Sequence, residues 1–166
     1  MADNISADEF KAVMGKFTAG VTVVTTVAAD GNLHGLTATA FTSLSMDPPL
    51  CLVCIDKKTG SHGPLTESKK FAVNILNDGQ EDVSNTFAFG KGDRFAEVKH
   101  EKGPATGCPV FPEALAWMDC EVSDILSGGD HDIFVGTIKG VHVSDGSPLA
   151  FFGGAYGDVK SRPKAW

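Results

Sequence analysis

Basic residues are missing from long stretches of this chain. No Lys or Arg stands between Thr18 and Asp56, and only Lys139 stands between Gly103 and Val159. With 14 basic against 21 acidic residues the net charge is −7. That excludes a sequence-independent grip on nucleic acid, which draws its affinity from Lys and Arg on phosphates. Long apolar runs are missing too: the longest, Leu50 to Ile55, has six residues, against the roughly 20 a membrane-spanning helix needs. The opening Met-Ala-Asp-Asn has no basic or apolar export-signal region, so a cytoplasmic protein without membrane attachment is expected.

Cysteine is limited to Cys51, Cys54, Cys108 and Cys120. Cys51 and Cys54 form a C-x-x-C, but they lie in an apolar strand-like run, and residues three apart on a strand face opposite ways. No second pair completes a four-ligand set, so no metal is expected and all four are read as free thiols in or near the core. There is no G-x-S-x-G elbow, no Walker A loop and no G-x-G-x-x-G, which argues against a serine hydrolase, a P-loop enzyme or a Rossmann fold. The five histidines are scattered without ligand spacing.

What is present suits one soluble domain over residues 1–166, with 42% hydrophobic and 21% charged residues. Ser6-Ala-Asp-Glu9 has capping-box spacing, and Phe10, Val13, Met14 and Phe17 then follow a helical face. Val21 to Ala28 is rich in Val and Thr; Asp30-Gly31-Asn32 is a turn, and Leu33 to Leu44 reads as one return strand. Further strands are expected at 50–55, 71–76, 116–125, 133–143 and 149–152, with short helices at 64–68 and 80–89. Residues 90–110 are polar, basic and rich in Gly and Pro, and read as a long surface excursion. About seven strands with few helices make this a mainly β protein, an antiparallel barrel with a few short helices.

Three segments have chemistry in them. Gly35 to Ser45 sets five hydroxyl residues and small alanines along a strand, where a flat ligand can approach the backbone. A half-buried strand with a wetted Thr face explains the same pattern. Asp56-Lys-Lys-Thr-Gly-Ser-His62 follows a buried strand and offers hydroxyls, lysines and amides for a phosphate; a plain turn is an equal reading. Gly128-Gly-Asp-His131 places an imidazole in a tight hairpin, where His is usually only a turn residue.

Taken in order, these segments resemble the flavin reductase-like, FMN-binding split-barrel family, and within it the small reductase components of two-component flavin-dependent monooxygenases. The matching residues are Phe17 to Val24, His34 to Ser45, Asp47-Pro-Pro49, Phe71 to Leu76, Arg94-Phe95, and Gly129 to Asp132 running into Phe134-Val-Gly136. The resemblance implies an antiparallel split β-barrel, a homodimer, and NAD(P)H:flavin oxidoreductase activity that supplies reduced FMN or FAD to a separate oxygenase, with NADH or NADPH as co-substrate. It implies that Thr37, Ala38, Thr39, Ala40, Ser43 and Ser45 line the flavin ring, with Thr39 near its reactive nitrogen. Asp56, Lys57, Thr59, Ser61 and His62 would take the phosphate. Phe87 and Arg94 match positions that close over the flavin, Tyr156 approaches the site, and His131 matches the histidine where the nicotinamide docks. An electron carrier with tightly bound flavin, or a non-catalytic flavin- or haem-binding module, remains the alternative.

Overall fold

The computed structural model describes residues 5–160. Helix α1 (Ala7–Met14) starts with the capping box: the Glu9 amide donates to Ser6 Oγ at 3.2 Å, and the Ser6 amide donates to the Glu9 carboxylate at 2.9 Å. Its apolar face has no core beneath it. Phe10 and Val13 are 61% and 71% exposed, and Phe17, which lies beyond the helix end, is 72% exposed. Strand β1 (Ala19–Gly20) leads into β2 (Thr22–Val27), which is buried on both faces. Its threonines are there only because each finds a partner: Thr22, Thr25 and Thr26 donate to the carbonyls of Ala38, Pro109 and Lys70 at 2.7, 2.5 and 2.8 Å.

The return segment departs from the single strand expected over 33–44. It is two strands, β3 (Leu33–Ala38) and β4 (Phe41–Met46), interrupted at Thr39-Ala40. Strand β3 pairs with β2, whereas β4 pairs with β5 (Pro49–Asp56). After β5 come α2 (His62–Ser68), β6 (Lys70–Ile75), α3 (Glu81–Phe89), β7 (Glu101–Lys102), β8 (Pro109–Val110), β9 (Ala116–Gly128), β10 (His131–Val143), β11 (Ala150–Phe152) and β12 (Ala155–Gly157). The main sheet runs β3-β2-β6-β9-β10-β5-β4, antiparallel throughout. Its two edge strands are therefore consecutive in sequence. Ala38 and Phe41 can be at most about 11 Å apart along the chain, so the sheet must curl until its edges meet. A bond from the Cys54 amide to the Ala40 carbonyl at 2.9 Å stitches the crossing to β5.

The barrel interior is filled by Val24, Val53, Ile55, Leu65, Phe71 and Phe134. A second cluster, including Val21, Val23, Leu76, Phe87, Phe111 and Leu149, lies beneath α3. All four cysteines are free; Cys51 and Cys120 place their sulfurs 3.8 Å apart, and burial pushes the Cys108 thiol up.

Residues 90–110 are not a free surface excursion. Phe95 and Val98 are buried in the second cluster, with the Phe95 ring edge-on to Phe87 at 5.0 Å. Farther on, the fully buried Asp119 accepts from the amides of Ala105 and Thr106 at 2.8 and 3.0 Å and from the Thr106 hydroxyl. Gly103 is required there, because a Cβ at that position would stand 2.6 Å from the Asp119 carboxylate. The composition that suggests a loop is the composition of a strap drawn tight over the sheet.

Candidate functional site

The turn after β5 is closed by its own residues. The Asp56 carboxylate accepts from the Lys58 amide at 2.8 Å, and Thr59 Oγ1 donates to the Asp56 carbonyl at 2.9 Å. Ser61 Oγ donates to the Gly35 carbonyl at 3.2 Å, which joins the turn to β3. Facing it is the β9–β10 hairpin, whose tip needs Gly129 at φ +74°. The register sets His131 opposite Asp56, so residues far apart in sequence become neighbours. The Lys57 amide donates to the Asp130 carbonyl at 3.0 Å, and its ammonium donates to Ser127 Oγ at 2.9 Å and the Gly129 carbonyl at 2.7 Å. Asp132 lies 3.3 Å from Lys57 Nζ and 2.8 Å from His62 Nε2. The His62 hydrogen bond, then Lys57, holds the Asp132 carboxyl below the usual carboxylate range. His131 Nδ1 lies 2.8 Å from Asp130 and lowers that carboxyl in the same way.

Beside the turn is a cleft of about 600 Å³ whose walls are residues 33–36, 59–61, 87–88 and 92–95. Arg94 braces it. Its Nη1 donates to the Gly35 carbonyl at 3.0 Å and the Phe87 carbonyl at 3.2 Å, and its Nε donates to the Gly90 carbonyl at 3.0 Å. A guanidinium is well placed there, because the end of α3 leaves carbonyls without helical partners. Arg94 Nη2 has no partner among the described residues. Phe87 is only 1% exposed, and its ring would stand 2.7 Å from a Cβ added at Gly35. It lines the cleft as a buried residue packed against Gly35.

A second cleft of about 340 Å³ lies on the other side of α3, with Ala88 shared between the two. Its walls include Thr37, Ala38, Thr39, Ser84, Asn85, Phe151 and Tyr156. Thr37 Oγ1 donates to the Ser84 carbonyl at 2.6 Å, and the Tyr156 hydroxyl is bonded to Ser84 Oγ at 2.8 Å and Asn85 Oδ1 at 3.0 Å.

The residues singled out in the sequence thus divide four ways. Thr59, Ser61, Phe87 and Arg94 border the first cleft, and Thr37, Ala38, Thr39 and Tyr156 the second. Asp56, Lys57, His62 and His131 form the seam between turn and hairpin. Ser43 and Ser45 sit on the β4 edge and Ala40 at the strand break, bordering neither cleft. Polar residues not assigned a site role from the sequence include His34 and Asp93 in the first cleft, Ser84 and Asn85 in the second, and Asp132 in the seam. His34 and Asp132 lie inside segments that carry the family resemblance, at His34 to Ser45 and Gly129 to Asp132. Nothing around Asn85 in the sequence signals it. Among the described residues no cluster of three or more His, Cys, Asp or Glu could hold a metal, and no helix is long and apolar enough to cross a membrane.

Residues 14–160 match the flavin reductase like domain family. The chain is 44% identical over 142 residues to a probable flavin reductase of Rhizobium meliloti, covering 86% of this chain and 45% of that protein. It thus spans under half the length of that relative. It is 40% identical to the reductase component of the 4-nitrophenol 4-monooxygenase/4-nitrocatechol 2-monooxygenase of Rhodococcus opacus, over 95% of this chain and 84% of that one. Among solved structures, the NADH:FAD oxidoreductase of Streptomyces globisporus in complex with NAD and FAD fragments superposes with a TM-score of 0.87. That match has 33% identity and covers 99% of both chains.

Proposed function

Because this chain belongs to the flavin reductase like family, we propose that it is an NAD(P)H:flavin oxidoreductase that supplies reduced FMN or FAD to a separate oxygenase. The observation that carries the site assignment is the convergence of β3, the 59–61 turn and α3 around two clefts, with the His131 hairpin paired to the strand that leads into that turn. The residues suit a flavin. The unpartnered Nη2 of Arg94 offers a charged donor for an anionic group in the first cleft. Thr37, Ala38, Thr39 and Ala155 are small enough for a flat ring to approach the backbone in the second. Strand β3 contributes residues to both clefts.

Flavin supplies the chemistry by accepting hydride from reduced nicotinamide. The chain contributes binding, orientation and exclusion of water, with no general acid or base required for the transfer. Arg94 holds the anionic end, with Thr59 and Ser61 shaping the wall beside it while their hydroxyls stay on the Asp56 and Gly35 carbonyls. Lys57 acts on the hairpin, since its ammonium is already engaged by Ser127, Gly129 and Asp132. His131, at a tip with a half-exposed side chain, positions the nicotinamide nucleotide.

The protein acts as a cytoplasmic homodimer. The exposed apolar face of α1, with exposed Phe17 just beyond the helix and exposed Phe152 under the Lys16 ammonium at 6.0 Å, supports a self-association surface. Light scattering that returns a monomer at micromolar concentration overturns the dimer. For the activity, purified protein is mixed with NADH or NADPH and with FMN or FAD, and nicotinamide absorbance is followed. Flavin-dependent loss is expected; flavin binding without nicotinamide oxidation would make the chain a carrier or binding module instead.

A further inference from the structure

Turn and hairpin meet at one carboxylate. Asp132, on β10, reaches His62 Nε2 at 2.8 Å with one oxygen and Lys57 Nζ at 3.3 Å with the other. The Asp132 and His62 side chains are 15% and 17% exposed, so water screens this contact less than it screens an open surface pair. Lys57 carries the link on to Ser127 and Gly129 at the tip, and the His62 ring stands edge-on to the buried Phe134 at 5.7 Å. Side chains alternate along a strand, so Asp132 and Phe134 share one face of β10 and His131 takes the opposite face. The β5–β10 ladder ends at the His131–Asp56 pair. Beyond it, the described residues tie turn to tip through the Lys57 amide to Asp130 carbonyl bond and these side chains.

We infer that Asp132 is a positioning residue for hydride transfer: by clamping Lys57 and His62 it sets the spacing between the 57–62 turn and His131. Its role in the reaction rests on the flavin reductase reading above; the clamp itself does not. A misplacement of about 1 Å between reacting partners can cost on the order of a hundredfold in rate, so a loosened seam shows in turnover before it shows in binding.

The test uses Asp132→Asn, which keeps the size and removes the charge, with Asp132→Glu as the rescue. Amide hydrogen exchange at Lys57 and His62 is measured on the flavin-free protein, and kcat, nicotinamide KM and flavin Kd on the working enzyme. Expected for Asp132→Asn are exchange faster by roughly fivefold or more at both amides and kcat down about tenfold, with KM and Kd moved less than about threefold. Asp132→Glu recovers most of the rate. His62→Gln breaks the same clamp from the other side and gives the same signature if Asp132→Asn fails to fold. Unchanged exchange in the folded variants overturns the clamp, and faster exchange with unchanged kcat overturns the positioning role. If the wild-type protein oxidises no nicotinamide, the activity reading fails, and exchange still decides whether the clamp exists.

Discussion

The two clefts flanking α3 share a wall but are held open differently. In the first, Arg94 and Ser61 converge on one acceptor, the Gly35 carbonyl, at 3.0 and 3.2 Å, and the guanidinium also ties down the end of α3. In the second, neutral hydroxyls do the same service: Thr37 and Tyr156 fasten β3 and β12 to Ser84 and Asn85. A charged brace suits a cleft for an anionic group because it lends positive potential to the ligand. A hydroxyl brace keeps its cleft uncharged, as a flat aromatic ring requires. The contrast shows that α3 is the element both clefts depend on.

Arg94→Ala breaks the comparison most severely. It strips three carbonyls of a charged donor and is expected to cost about 2–3 kcal/mol of stability, read as a lower urea midpoint, together with loss of flavin binding. Gly35→Ala tests the same wall by volume. Its new Cβ would meet the Phe87 ring at 2.7 Å, an overpacking expected to cost roughly 1–3 kcal/mol; wild-type stability in this variant would show that Phe87 can move aside. Tyr156→Phe loosens only the second cleft. A loss of about 0.5–1 kcal/mol is expected, with the phosphate end of flavin binding untouched, which a comparison of flavin with riboflavin affinity checks.

Acid sharpens the contrast further. Asp132 has a depressed carboxyl pKa in the folded protein, so its stabilising share is complete above the ordinary carboxylate value of about 3.9 and is lost as pH falls through the folded value. Wild type should therefore lose its advantage over Asp132→Asn as pH falls below about 3.9, and thermal melts at about pH 5 and pH 3 check it. The smallest effect is expected at Lys99→Ala. Its ammonium sits 3.7 Å from Glu113 with both side chains about two-thirds exposed, so a change within about 0.5 kcal/mol and unaltered flavin affinity are expected.

Much of the local structure is legible in the residues. The capping box at Ser6, the Val- and Thr-rich run of β2, the turn at Asp30-Gly31-Asn32 and the Gly129 hairpin follow from short-range preferences that need no partner to be recognised. The strand break at Thr39-Ala40 is not legible, since Thr and Ala between two strand-like runs carry no stop signal. The 90–110 strap misleads because its Gly and Pro content dominates, while its anchors are single residues: Phe95 in a core cluster, and Asp119 supplied from β9.

For the site, residue types alone mark which segments carry hydroxyls, cations and small side chains, and the family resemblance orders them. Which partner each side chain takes is settled by register and closure. Lys57 reads as a phosphate ligand by its charge and neighbours, yet pairing β5 with β10 brings Asp132 and Ser127 to it first. The resemblance implies that Arg94 closes over the flavin; the fold in addition makes it a cap, because α3 ends where its guanidinium can reach three carbonyls. Local propensity acts within a few residues of the chain and is written there. Electrostatic partnership acts across space within a few ångströms, and only barrel closure brings residues 34–37, 57–62, 84–94 and 127–132 within that range.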